Sequence, residues 1–170
     1  MSRPARLAGK GDPGERTGTI MLQNPSGCAD PGPSGLSAGV DLVSVERIET
    51  MLARWGEKFL RRVYTDGEIA YCMARANPAR SLAARFAAKE AFYKAVSAWR
   101  EGPIAHKSIE VVVCDNGVPA VRPHGRAEAA LGRRAATLSL SHENHYAIAV
   151  VVTCAPRNAE NAESGSEVTS

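Results

Sequence analysis

Ser108-Ile109-Glu110-Val111-Val112-Val113-Cys114-Asp115-Asn116-Gly117-Val118-Pro119-Ala120-Val121-Arg122 is the stretch in which this chain changes character. Residues 108–114 are a β-branched run, Asp115-Asn116-Gly117 is a hairpin turn signal, and residues 118–122 return as a second strand. Downstream, a short Ala-rich helix over about 126–131 separates this hairpin from two more strand patterns, 136–142 and 146–154. The latter pair turns at Glu143-Asn144-His145 and reads as a second hairpin.

Upstream the pattern is mostly helical. Residues 38–43 read as a short strand with Val40 and Leu42 on one face and Asp41 on the other. Ser44 can cap a helix in which Val45, Ile48 and Leu52 recur at helical spacing. A second amphipathic piece covers roughly 57–64, and Thr65-Asp66-Gly67-Glu68 is a capping box that opens a third helix. Pro78 precedes the longest helical stretch, about 79–99, which is dense in Ala and free of Gly and Pro. A leading strand and helices followed by antiparallel hairpins define an α+β domain.

The chain has 170 residues, which suits one compact domain with loose ends. Residues 1–37 are rich in Gly, Pro and Ser without periodicity, so they are expected to be a disordered extension. The polar tail 156–170 is expected to be loose as well, leaving a folded domain over 38–155. Aromatics make up only 5%, so the core has to be built mainly from Ala, Val, Leu and Ile. The net charge of +3 is mild; it fits an acidic partner or substrate better than bulk nucleic-acid binding, and the strands lack interleaved aromatics. Cys28, Cys72, Cys114 and Cys154 stand far apart with no Cys-x-x-Cys pair, as expected of free thiols in a reducing cytosol. No run approaches the length of a membrane helix, and the start lacks the apolar run of a signal peptide. The expected location is cytoplasmic, with no membrane partner.

Asp41 is a lone acid in an otherwise apolar strand, and burying it bare would be costly, so it has to reach water, a partner or a metal. Glu90 and Lys94 stand four apart on one helix face, which by itself describes either a surface ion pair or part of a site. The small Ala residues flanking Glu90 leave room around its carboxylate. Two carboxylates without His or Cys ligands suit a hard cation such as magnesium, which keeps several waters and completes its shell with substrate phosphates. A lysine one turn from Glu90 would face those phosphates. No P-loop and no nucleophile elbow is present. His142, near the end of a strand, is either a structural hydrogen-bonding group or a site residue. Arg47, Arg54, Lys58, Arg61 and Arg62 cluster on the first helices, as a solvated face or as a docking surface for an acidic protein.

Four blocks in order resemble the holo-acyl-carrier-protein synthases. The first is Gly39-Val40-Asp41 through Arg47-Ile48, similar to that family's opening G-x-D-x-x-x-x-x-R-I; the second is Arg85-Phe86-Ala87-Ala88-Lys89-Glu90-Ala91-Phe92-Tyr93-Lys94-Ala95, similar to its central R-F-A-x-K-E-A-x-x-K-A. The others are Ile109-Glu110-Val111 through Asn116-Gly117-Val118-Pro119, and Ser139-Leu140-Ser141-His142 with Tyr146-Ala147-Ile148-Ala149. The resemblance implies a small 4′-phosphopantetheinyl transferase, a homotrimer with active sites between subunits. Such an enzyme moves the 4′-phosphopantetheine of coenzyme A to a serine of an acyl carrier protein and releases adenosine 3′,5′-bisphosphate. It further implies that Asp41 and Glu90 hold Mg2+ with the coenzyme A pyrophosphate, and that Glu90 helps deprotonate the serine. Lys94 would steady the phosphates, His142 would lie near the nucleotide, and Arg47 and Arg54 would receive the carrier. One departure stands out: where the family continues after Lys-Ala into Gly-Thr-Gly, this chain has Val96-Ser97-Ala98-Trp99-Arg100-Glu101-Gly102. A non-catalytic carrier-binding module of the same fold is the alternative that this departure leaves open. The pathway served, whether fatty acid, polyketide or peptide, also stays open.

Overall fold

The computed structural model describes residues 35–156. Most of the expected disordered extension and tail therefore lies outside the described residues. Gly35 and Ser37, expected in the extension, are part of the fold: the Gly35 carbonyl accepts hydrogen bonds from Ala155 N at 3.2 Å and Arg134 Nη1 at 2.7 Å.

The chain runs β1 (Ser37–Ser44), α1 (Val45–Trp55), α2 (Glu57–Val63), α3 (Asp66–Met73) and α4 (Pro78–Ala95), then a single 3-10 turn (His106–Ser108). It continues with β2 (Ile109–Val113), β3 (Pro119–Pro123), α5 (Arg126–Leu131), β4 (Ala135–His142) and β5 (Tyr146–Cys154). The expected α+β class holds. Both hairpins form where their turn signals stood, and β1 joins the second one to give an antiparallel sheet in the order β1-β5-β4; β2 and β3 form a separate pair.

α4 is the axis of the domain. Asn77 caps it, its Oδ1 accepting from Arg80 N at 3.1 Å, and Pro78 occupies its first turn, where no N–H is needed. Its alanines let other elements approach closely, and Leu82, Ala87, Ala88, Ala91, Phe92 and Ala95 are wholly buried. The approach of β1 is the closest: a Cβ at Gly39 would lie 2.0 Å from Ala91 O and 2.6 Å from Ala95 N. Only glycine can stand there.

One feature departs from the sequence reading, and a second resolves what that reading left open. α4 stops at Ala95 rather than near 99, because Ser37 Oγ donates to the Ala95 carbonyl at 2.8 Å and occupies it from outside the helix. The chain then tightens, Trp99 N and Arg100 N both donating to Val96 O at 3.0 Å. Arg134 stacks 3.7 Å from the Trp99 ring and Arg100 lies 4.3 Å from the Tyr93 ring, fixing the connection that stands in place of the Gly-Thr-Gly turn of the family it resembles. The second is in β1, where the alternation holds as read and the structure decides which face is inward. Its inward face carries Gly39, Asp41 and Val43, while the apolar Val40 and Leu42 point to solvent. The acid, not the aliphatics, faces the helix.

Candidate active site

Asp41 is delivered by the register of β1 on β5, where it lies opposite Ala149. This inward position leaves it only 7% exposed against α4. Lys94, the penultimate residue of α4, reaches over it and donates to Asp41 Oδ1 at 2.9 Å and to the Val40 carbonyl at 3.0 Å. Burial outweighs that help and holds the Asp41 carboxyl above its ordinary range, and the nearby Glu90 charge adds to the rise. The acid is thus under-compensated: a further cation beside it would be welcome.

Glu90 lies one helical turn before Lys94, but the two do not pair. His106 Nε2 meets Glu90 Oε1 at 2.5 Å, and this hydrogen bond is the main reason the Glu90 pKa falls below its usual value. Of the two readings their spacing allowed, the i,i+4 surface pair gives way to two separate partnerships, Lys94 with Asp41 and His106 with Glu90. Arg47 sits at the solvent side, where its charge favours the ionised form of both carboxylates. Its own N–H donates to the capping Ser44 Oγ at 3.3 Å, which fixes the start of α1 beside the site.

Beneath this cluster lies a second ion pair. Lys89 is fully buried, and its Nζ donates to Glu68 Oε2 at 2.8 Å, to the His106 carbonyl at 3.0 Å and to the Ile109 carbonyl. Glu68 also accepts from Thr65 N at 2.8 Å, completing the expected capping box, and from Val111 N at 3.0 Å. Every donor of the ammonium is used.

Asp41, Glu90, Lys94 and Arg47 are therefore brought together. Arg54 lies two turns along α1, exposed, with its guanidinium 4.8 Å from the Trp55 ring. His142 is not brought to the carboxylates within one chain. It pairs with Ala147, which pairs with Val43, so it lies two strands across, roughly 12 Å from Asp41 at ordinary strand spacings. His106 was missed by the sequence reading. It stands between Ala105 and Lys107 with no helical or strand spacing to Glu90, and only the folded connection after α4 reveals the contact. The donors fit a magnesium ion: two oxygen ligands on facing elements, one buried and one half-buried. Among the described residues no group of three or more His, Cys, Asp or Glu forms a metal cluster, so waters and substrate oxygens would have to complete the shell.

The pattern of the 4′-phosphopantetheinyl transferase superfamily matches residues 37–151. The chain belongs to this superfamily. Among its relatives, the holo-[acyl-carrier-protein] synthase of Koribacter versatilis is 42% identical over 120 residues, covering 69% of this chain and 96% of the relative. That of Thermus thermophilus is 45% identical over 119 residues, covering 69% and 91%. Among solved structures, the Chronobacterium ammoniagenes ACPS-CoA complex superposes with a TM-score of 0.62 at 30% identity, covering 72% of this chain and 98% of that one. The acyl carrier protein synthase of Mycobacterium tuberculosis superposes at 0.57 with 33% identity, covering 71% and 97%.

Proposed function

We propose that this protein is a holo-acyl-carrier-protein synthase, transferring 4′-phosphopantetheine from coenzyme A to a carrier serine with Mg2+ bound between Asp41 and Glu90. The observation that carries the reading is the convergence of Asp41, Glu90, Lys94 and Arg47 at one edge of β1 and α4, in a chain whose relatives are holo-[acyl-carrier-protein] synthases. In the transfer the serine oxygen bonds to the phosphorus of the phosphopantetheine, and the bond from that phosphorus to the departing adenosine 3′,5′-bisphosphate breaks. Glu90, ionised across the neutral range because its pKa is held low, stands ready to accept the serine proton. Lys94, steadied on Asp41 and the Val40 carbonyl, places a point charge where the leaving phosphate gathers negative charge. Magnesium, when bound, supplies neutralisation of the pyrophosphate and a template between the two carboxylates. Arg47, with Arg54 two turns away on the same helix face, offers a positive edge to an acidic carrier.

Self-association fits the same reading. On the face of the sheet away from α4, Val40, Leu42, Tyr146, Ile148 and Val150 are exposed together, Leu42 at 55%, and the register sets Val40 against Val150 and Leu42 against Ile148. So continuous an apolar strip suits burial against copies of itself, as in a homotrimer with sites between subunits. That assembly would also bring a neighbouring chain's residues to the carboxylates, which His142 does not reach within its own chain. No helix among the described residues is long and apolar enough to cross a membrane.

The test is direct. The protein mixed with coenzyme A, Mg2+ and an apo acyl carrier protein should raise the carrier's mass by one phosphopantetheine, and EDTA should abolish the gain. Glu90→Gln should remain folded and turn over about 100-fold or more slowly. A carrier of unchanged mass across cognate substrates would instead mark a binding module without catalysis.

A further inference from the structure

We infer that His106 is a positioning residue: it holds the Glu90 carboxylate from the connection after α4 so that Glu90 meets a divalent cation already oriented. The inference rests on the reading of Asp41 and Glu90 as the cation site, and it adds a residue that the site's sequence blocks do not contain.

Three observations support it. The hydrogen bond from His106 Nε2 to Glu90 Oε1, at 2.5 Å, engages one carboxylate oxygen of a side chain that is 30% exposed and otherwise free to sample rotamers. The imidazole is itself fixed, lying on Phe86 with ring centroids 5.4 Å apart and planes at 25°. Phe86 and Glu90 are one turn apart on α4, so the ring is gripped by two successive turns of the helix it serves.

The third is how the backbone of His106 is held. Its carbonyl accepts from buried Lys89, and Ser108 N closes the 3-10 turn onto Ala105 O at 2.9 Å. The Ser108 carbonyl accepts from His124 N at 2.7 Å, and Lys89 also binds the Ile109 carbonyl. Adjacent residues of α4 thus act on one histidine from two sides: Lys89 fixes its backbone and Glu90 receives its ring. Lys89 in turn is anchored by Glu68 at the start of α3. A line of hydrogen bonds therefore runs from the α3 cap to the carboxylate at the site.

Such a contact has little use as a stabiliser, since half-exposed pairs contribute little to folding. Its use is to remove freedom from a ligand. Groups that hydrogen-bond a metal-ligating side chain orient it, and their loss weakens metal binding by about 10–100-fold. The contact needs no particular protonation of the histidine, because the imidazolium and the Nε2-protonated neutral ring both present an N–H to Glu90.

The test is Mn2+ binding in the presence of coenzyme A, followed by electron paramagnetic resonance, on wild type, His106→Phe, His106→Asn and His106→Gln. The Phe side chain keeps the stack on Phe86 but has no donor; Asn is polar but too short; Gln carries an N–H at about the reach of Nε2. The expected result is Mn2+ affinity lower by about 10-fold or more in the Phe and Asn variants, with melting temperatures close to wild type and most of the affinity restored by Gln. The Mg2+ concentration for half-maximal turnover should rise in the same order, while kcat at saturating Mg2+ changes less. Wild-type affinity in either folded Phe or Asn variant overturns the role of His106 and leaves the site assignment standing. A wild-type protein that binds no Mn2+ with coenzyme A present overturns both.

Discussion

Helix α4 carries two lysine–carboxylate pairs, and they differ in the way that separates scaffold from site. Lys89 and Glu68 are sealed, with side chains 0% and 1% exposed, and each is saturated with hydrogen bonds from α3, β2 and the 3-10 turn. Lys94 and Asp41 lie at the rim, with side chains 18% and 8% exposed, and Asp41 remains costly to ionise even with its partner in place. The sealed pair has no capacity for a ligand. The rim pair retains electrostatic demand, and that demand is what a magnesium ion would meet. On the proposed reading, five residues along one helix separate a lysine that holds the fold from one that serves the chemistry.

Breaking the sealed pair should have the largest effect. Lys89→Met leaves Glu68 charged, buried and without its cation, and should lower stability by about 3–5 kcal/mol, read from urea unfolding. If its unfolding midpoint stays at the wild-type value, the contrast between the pairs fails. Next comes Lys94→Met, which leaves Asp41 buried without its cation. Because that carboxyl already holds its proton more tightly than usual, the loss should be smaller, about 1–3 kcal/mol in urea unfolding, with about 100-fold lost in turnover in the carrier mass assay. A variant that is unstable but active would reverse the assignment.

The smallest effect is the most diagnostic. The raised pKa means that folded Asp41 holds its proton more tightly than the unfolded chain does, so its contribution to stability is full in acid and lost as pH rises through the folded value. Asp41→Asn should therefore be at least as stable as wild type at pH 7 while inactive, and the difference in melting temperature should shrink as pH falls towards 4. An Asn variant clearly less stable at neutral pH would show that Lys94 fully compensates the carboxylate.

The sequence made legible whatever depends on neighbours in the chain. The Thr65–Glu68 cap, the Asn116-Gly117 turn and the second hairpin are all local, and all stand where their residues signalled them. Asp41, Glu90 and Lys94 could be singled out from residue type and spacing, and the family blocks tied them to one reaction; the same spacing also allowed a Glu90–Lys94 pair, which the structure replaces. What stayed hidden was decided by distant partners. Ser37 ends α4 from 58 residues away, and the inward face of β1 is chosen by contact with α4 rather than by its own alternation. Glu68 looked like a capping residue alone, because nothing local announces a lysine 21 residues on. His106 lies 16 residues beyond Glu90, across a connection with no periodicity to follow.

The pairing of β1 with β5 has a consequence for the order of events during synthesis. Asp41 is among the first described residues to leave the ribosome, yet the strand opposite it, Tyr146–Cys154, is the last element of the domain. The nascent chain can form α1 to α4 and all three of the buried lysine's hydrogen bonds before Asp41 has a strand to rest on. The carboxylate cluster therefore closes in the final step, when the chain has emerged past residue 154, and contacts of such long sequence separation form slowly. A truncated or stalled chain would carry Glu90 and Lys94 on a formed helix but no competent site. If the proposed site is the catalytic one, activity would report whether the whole domain has been made.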